Sequence, residues 1–118
     1  MQLSQKLKQA FATYKSLCLD VQQFKKNNTD EFQYKFPILE YKMMKKYNMF
    51  KAEIATFEQE FPENDVNLNK DNMNSKYVLL NCKITSITTQ LKEYLIRHGI
   101  EVFNWTEMEV IDDIILDS

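Results

Sequence analysis

Side chains that could do chemistry are few in this chain, and their spacing keeps them apart. The one histidine, His98, falls in the last turn of a helical stretch, directly before the one glycine, Gly99. There it reads as a residue that favours the negative end of the helix dipole rather than as a general base or ligand. Thiolate catalysis would need His98 to reach Cys18 or Cys82. Both cysteines lie in apolar helical patterns, so they read as two buried, reduced small hydrophobes. Two dispersed cysteines and one histidine also lack the clustered spacing of a structural zinc site. Asp112 and Asp113 are adjacent and point apart in helix or strand, which suits a solvated acidic patch. No Gly-rich loop offers a phosphate cradle. The expectation is a protein that is not an enzyme and takes no metal, cofactor or small-molecule substrate.

A second constellation is basic and aromatic: Lys42, Lys45, Lys46 and Lys51 interleave with Tyr41, Tyr47 and Phe50. Lysines at this spacing could track phosphates, and tyrosines could stack on bases. Yet Glu40, Glu53 and Glu58 share the same stretch, arginine occurs once, and the net charge is −2. A weak nucleic-acid-binding face is therefore the lesser reading. A solvated helix face fits better, and so does a mate for a local acidic segment such as the chain's own C-terminus.

The elements that must hold these residues follow from periodicity. Leu3, Leu7, Ala10, Tyr14, Leu17, Val21 and Phe24 step by fours and threes, the stripe of a bundle or coiled-coil helix, and predict a helix over 3–26. Asn27, Asn28 and Thr29 end it, because short polar side chains compete for backbone hydrogen bonds. Residues 29–36 are ambiguous: Phe32, Tyr34 and Phe36 alternate as in a strand, while Thr29, Asp30 and Glu31 look like a helix start. Pro37 disfavours helical geometry at Phe36 and favours a short extended or turn-like piece. From Pro37 a second helix runs to about Phe61, with a seam of Met43, Tyr47, Phe50, Ile54, Phe57 and Phe61, and stops at Pro62. Residues 62–74 read as a polar loop. A third helix spans 75–98 behind an Asn74 or Ser75 cap, with Tyr77, Leu80, Ile84, Ile87, Leu91 and Tyr94 as its seam. Gly99 stands where a left-handed residue closes a helix.

Every charge after Arg97 is negative, and β-branched residues dominate. This predicts a short strand near 100–104, then a second strand or an acidic amphipathic tail. The fold class expected is mainly α: a three-helix bundle or coiled-coil-like helical hairpin assembly over residues 1–99, with a short C-terminal β or extended acidic segment over 100–118. One glycine and two prolines among 118 residues argue against barrels, sandwiches and dinucleotide folds. The opening MQLSQKLKQAF lacks a signal-peptide core, and no run approaches the roughly 18 apolar residues of a membrane span. A reducing compartment, cytoplasm or nucleus, is the expectation.

The run ITTQLKEYLIRHGIEVFNW is similar to the place in GrpE-type nucleotide exchange factors where a helix ends in a Gly-Ile/Val-Glu step. Leu91, Leu95, Gly99, Ile100 and Glu101 carry the match, over about twenty residues. The resemblance implies a small β domain after residue 99 and a chaperone-cofactor role. The chain departs from it where a Gly and a Phe-Asp-Pro stretch should follow, having TEMEVIDDI instead.

Apolar residues exceed what three seams require: Phe11 and Cys18, then Ile38, Leu39 and Met44, then Val78 and Leu79. Aromatic and Met excess beyond a small core is what a partner surface looks like. The leading expectation is a non-catalytic adaptor or scaffold subunit in a homo- or hetero-oligomer with a protein partner, binding through amphipathic helix faces. Its candidate contact residues are Phe11, Tyr41, Met44, Lys45, Lys46, Phe103, Trp105, Val110 and Ile114.

Overall fold

A computed structural model describes residues 3–62 and 70–102, and the regular structure among them is entirely helical. Four helices follow in order: α1 (Leu3–Asn27), α2 (Thr29–Lys35), α3 (Leu39–Glu60) and α4 (Lys70–Arg97). Helix α1 lies against both α3 and α4, which meet each other more sparingly. Its seam residues Leu7, Ala10, Tyr14, Leu17 and Val21 are buried, and so are Phe11, Thr13, Cys18 and Asp20. At about 100° per residue these cover roughly half the helix's circumference, as befits an element packed on two sides.

The chain passes from α1 to α2 with almost no linker. The Asn28 side-chain amide donates to the Phe24 carbonyl at 3.2 Å and the Thr29 hydroxyl to that of Lys25 at 3.0 Å. The Asn28 backbone N–H also donates to the Phe24 carbonyl at 2.9 Å, so the side-chain bonds reinforce the last turn of α1 where it meets α2. Helix α2 corrects the extended piece expected over 29–36. Phe32 and Phe36, four apart, are buried, while Tyr34 between them is 87% exposed. That is helical spacing, and the apparent alternation was incidental. Asp30 and Glu31 in the first turn suit the dipole, and Lys35 pairs with Glu31 at 3.0 Å. Pro37 restricts only Phe36, so the helix ends one residue earlier.

In α3 the expected seam is buried at Met43, Phe50, Ile54 and Phe57. Its contact with α1 is aromatic: Phe11 meets Tyr47 at 5.0 Å, and Tyr14 meets Phe50 edge-on at 5.3 Å between ring centroids. The Tyr14 hydroxyl donates to the Met43 carbonyl at 2.7 Å. Burial of such side chains stabilises by about 1.5–3 kcal/mol each. Lys8–Glu58 and Lys25–Glu40 add ion pairs between α1 and α3 at 3.1 and 2.7 Å, half-exposed and so worth little individually.

Helix α4 begins at Lys70, five residues before the expected start, so Asn74 and Ser75 lie inside it rather than capping it. Asp71 occupies its first turn, Met73 packs on the core, and Lys76 reaches Glu60 of α3. These contacts carry a polar stretch that sequence periodicity alone left in a loop. The buried face of α4 is also more polar than its predicted seam. Tyr77, Ile84 and Leu95 share it with Asn81, Thr85 and Thr88, while Leu80, Ile87, Leu91 and Tyr94 pack at its margin. Thr85 and Thr88 donate to the carbonyls of Asn81 and Ile84 on their own helix, which is how a helix buries threonine without an unmet hydroxyl. Cys82, expected to be buried, is exposed; Cys18 is buried, and both thiols are free.

The end of α4 follows its sequence signal. Gly99 has φ +77°, its N–H donates to the Ile96 carbonyl at 3.1 Å, and the Ile100 N–H donates to that of Leu95 at 2.8 Å. This is a Schellman closure, with Leu95 and Ile100 both buried beside it. Residues 100–102 form no strand. The rest of the expected strand or tail, with Phe103, Trp105, Val110 and Ile114, lies outside the described residues.

Candidate interaction groove

The residues that join α2 to α3 create a corner, and an open groove of about 670 Å³ lies along it. Helix α1 contributes Lys25; α2 and the connector contribute Phe32, Gln33, Phe36 and Pro37; α3 contributes Glu40, Tyr41, Met44, Lys45 and Asn48. Phe32 and Phe36 form the buried floor, braced by Phe24 and by each other, with ring centroids 5.7 to 6.4 Å apart. Tyr41 stands 70% exposed at the rim and Met44 is half-buried. Tyr34 and Ile38 add exposed apolar surface to the same stretch of chain.

The charges around this corner are sorted. All four carboxylates of α3 engage neighbours: Glu40 with Lys25, Glu53 with Lys83, Glu58 with Lys8 and Glu60 with Lys76. None of the α3 lysines, Lys42, Lys45, Lys46 and Lys51, forms an ion pair with another described residue. Lys42, Lys45 and Lys46 share roughly a third of the helix circumference, starting at the groove's rim. Glu40 is the groove's one carboxylate, and Lys25 neutralises it. The corner thus combines an apolar floor with a positive margin, as a surface for an acidic, partly apolar partner would.

Of the contact residues expected from sequence, Tyr41, Met44 and Lys45 line this groove, and Lys46 is exposed one residue further along. Phe11 is corrected: it is buried between Tyr47 and Phe50, so it serves the core and presents no surface to a partner. Lys15 sits over the Phe11 ring at 4.7 Å. Sequence reasoning missed Phe32 and Phe36, because the helix that brings them together was read as extended.

No family model, curated protein or solved structure matches the chain. The residues behind the GrpE-type resemblance have a local explanation here, since Leu95, Gly99 and Ile100 are what a Schellman closure requires.

Elsewhere the chemistry is muted. Burial pushes the Cys18 thiol up to about 12, which keeps it protonated and unreactive at neutral pH. Burial likewise raises Tyr14 and Tyr77. His98 lies tilted against Tyr94, with ring centroids 4.3 Å apart, and meets Phe36 edge-on at 5.8 Å, a packing role at the floor of the corner. Among the described residues no three His, Cys, Asp or Glu side chains could hold a metal ion, and no helix is long and apolar enough to cross a membrane. A second groove of about 320 Å³ between α3 and α4 carries exposed Leu79, but the Glu53–Lys83 and Glu60–Lys76 pairs that line it leave no net charge to attract a partner.

Proposed function

We propose that the protein is a non-catalytic interaction module, a helical bundle that binds an acidic, amphipathic protein segment at the α2–α3 corner. The observation that carries this reading is the sorting of charge on α3, whose carboxylates all bind within the fold while Lys42, Lys45 and Lys46 face outward beside Tyr41 and Met44. Binding would bury the exposed ring of Tyr41 and the Met44 side chain, with the lysines steering encounter and setting orientation more than affinity. Met suits such a surface because its unbranched side chain repacks at little cost.

The test is an affinity capture from the cells that make the protein, run with the wild-type chain and with Tyr41→Ala combined with Lys45→Glu. Partners that bind through the corner disappear with the double variant while its helical content is unchanged. An unaltered set of partners would place the interface elsewhere. Nucleic acid remains the lesser alternative for the same lysines. It predicts retention of single-stranded oligonucleotides at low salt, with steep loss as salt rises, and absence of such retention would end it.

A further inference from the structure

We infer that the occupant of the corner is the chain's own C-terminal segment, residues 103–118, folded back so that its carboxylates meet Lys42, Lys45 and Lys46. This rests on the corner being a docking surface, and it names what docks there.

Charge complementarity is the first argument. Residues 103–118 carry five carboxylates, Glu107, Glu109, Asp112, Asp113 and Asp117, and no positive side chain. The surface lysines beside the groove have no partner among the described residues, and α3's own acids are engaged with α1 and α4. Apolar content is the second. Val110–Ile111 and Ile114–Ile115 flank Asp112–Asp113, so the segment carries apolar groups for the groove's floor and acidic groups for its margin.

The described chain also ends close to the corner. The Schellman closure at Gly99 pins Ile100 in the core, and His98 just before it touches Phe36, a floor residue of the groove. The segment therefore departs from the end of the molecule that holds the corner. Sixteen residues can span about 50 Å when extended, against molecular dimensions of 54 × 25 × 17 Å. Tethering at this range gives an effective concentration on the order of millimolar, enough to favour a contact that would be weak between separate molecules. The same tether favours the segment of the same chain over that of a second copy.

Zero-length carbodiimide coupling of the full chain tests this, because it joins an amine to a carboxylate only when the two touch. The expected products keep the mass of one chain and link Lys42, Lys45 or Lys46 to carboxylates between Glu107 and Asp117. These links should fall at least tenfold in Glu109→Lys/Asp112→Lys/Asp113→Lys, which leaves the core residues of α1 to α4 as they are. Links found only between two chains would overturn docking within one chain, and so would the absence of links to these lysines. A synthetic peptide of residues 103–118 then separates the two levels of the argument. It should bind the triple variant at least tenfold more tightly than the wild-type chain, whose own segment competes, and Tyr41→Ala should weaken it. Equal binding to both chains would leave the corner a docking surface and overturn the inference; no binding to either would remove both.

Discussion

The inward face of α3 carries Met43, Phe50, Ile54 and Phe57, and its outward face carries Tyr41, Met44, Lys45 and Asn48. Met43 and Met44 are adjacent in sequence, yet one is sealed against α1 and the other borders an open groove. The inward face is where burial and aromatic contact supply stability. The outward face supplies little to the packing of the described helices, against which Tyr41, Lys45 and Asn48 stay exposed and Met44 half-buried. One helix thus separates the residues that hold the fold from those available to a partner, and substitutions on the two faces should separate in the same way.

The largest effect belongs to the inward face. Phe50→Ala should lose about 3–5 kcal/mol of stability, since the ring is fully buried against Phe11 and Tyr14; urea denaturation measures it. A loss under 1 kcal/mol would mean that the α1–α3 contact is not the core described here.

Next comes alkaline pH. Cys18 is raised from its ordinary 9.0 up to about 12 by burial, and Tyr14 is raised from 10.0 for the same cause. Above pH 9 the unfolded chain gives up these protons more readily than the folded one, so deprotonation favours unfolding. Stability should be flat below pH 9 and fall progressively from there toward pH 12. Cys18→Ala should lower the overall stability and flatten that slope, as denaturation curves at pH 8, 9.5 and 10.5 would show.

Gly99→Ala should cost about 1–2 kcal/mol, because φ +77° disfavours a side chain. Nothing lies within 4 Å of the added Cβ, so the cost is conformational and not a clash. A thermal melt reads it. The smallest effects belong to the outward face, where Tyr41→Ala and Lys45→Glu should each stay within about 0.5 kcal/mol of wild type. A larger loss in the same melt would erase the distinction between the faces.

The long seams of α1 and α3 were legible because apolar residues at spacings of three and four report a buried stripe directly. So were the stops at Pro62 and Gly99, which are set by backbone geometry. Helix α2 was not, because Tyr34 happened to complete an alternation whose exposed member only packing reveals. The start of α4 was hidden for a related reason: its first turns are polar and gain their contacts from α3 and the core. Its buried face includes Asn81 and Thr88, types that read as exterior, and Thr88 meets its hydrogen-bonding need within its own helix. In the candidate groove, Met44 was marked as apolar surplus over the seam, and Tyr41 and Lys45 by the interleaving of basic and aromatic residues. The pairing of every α3 carboxylate was invisible, since it depends on which lysines of α1 and α4 come within reach in three dimensions.

Met43 and Met44 also report most directly on whether the outward face of α3 receives the acidic C-terminal segment. With methionine methyl groups labelled, NMR spectra of the full chain can be compared with those of Glu109→Lys/Asp112→Lys/Asp113→Lys. The Met44 methyl resonance should move when the segment is reversed in charge, while that of Met43 should stay in place. An unmoved Met44, or a Met43 that moves as far, would contradict docking on that face.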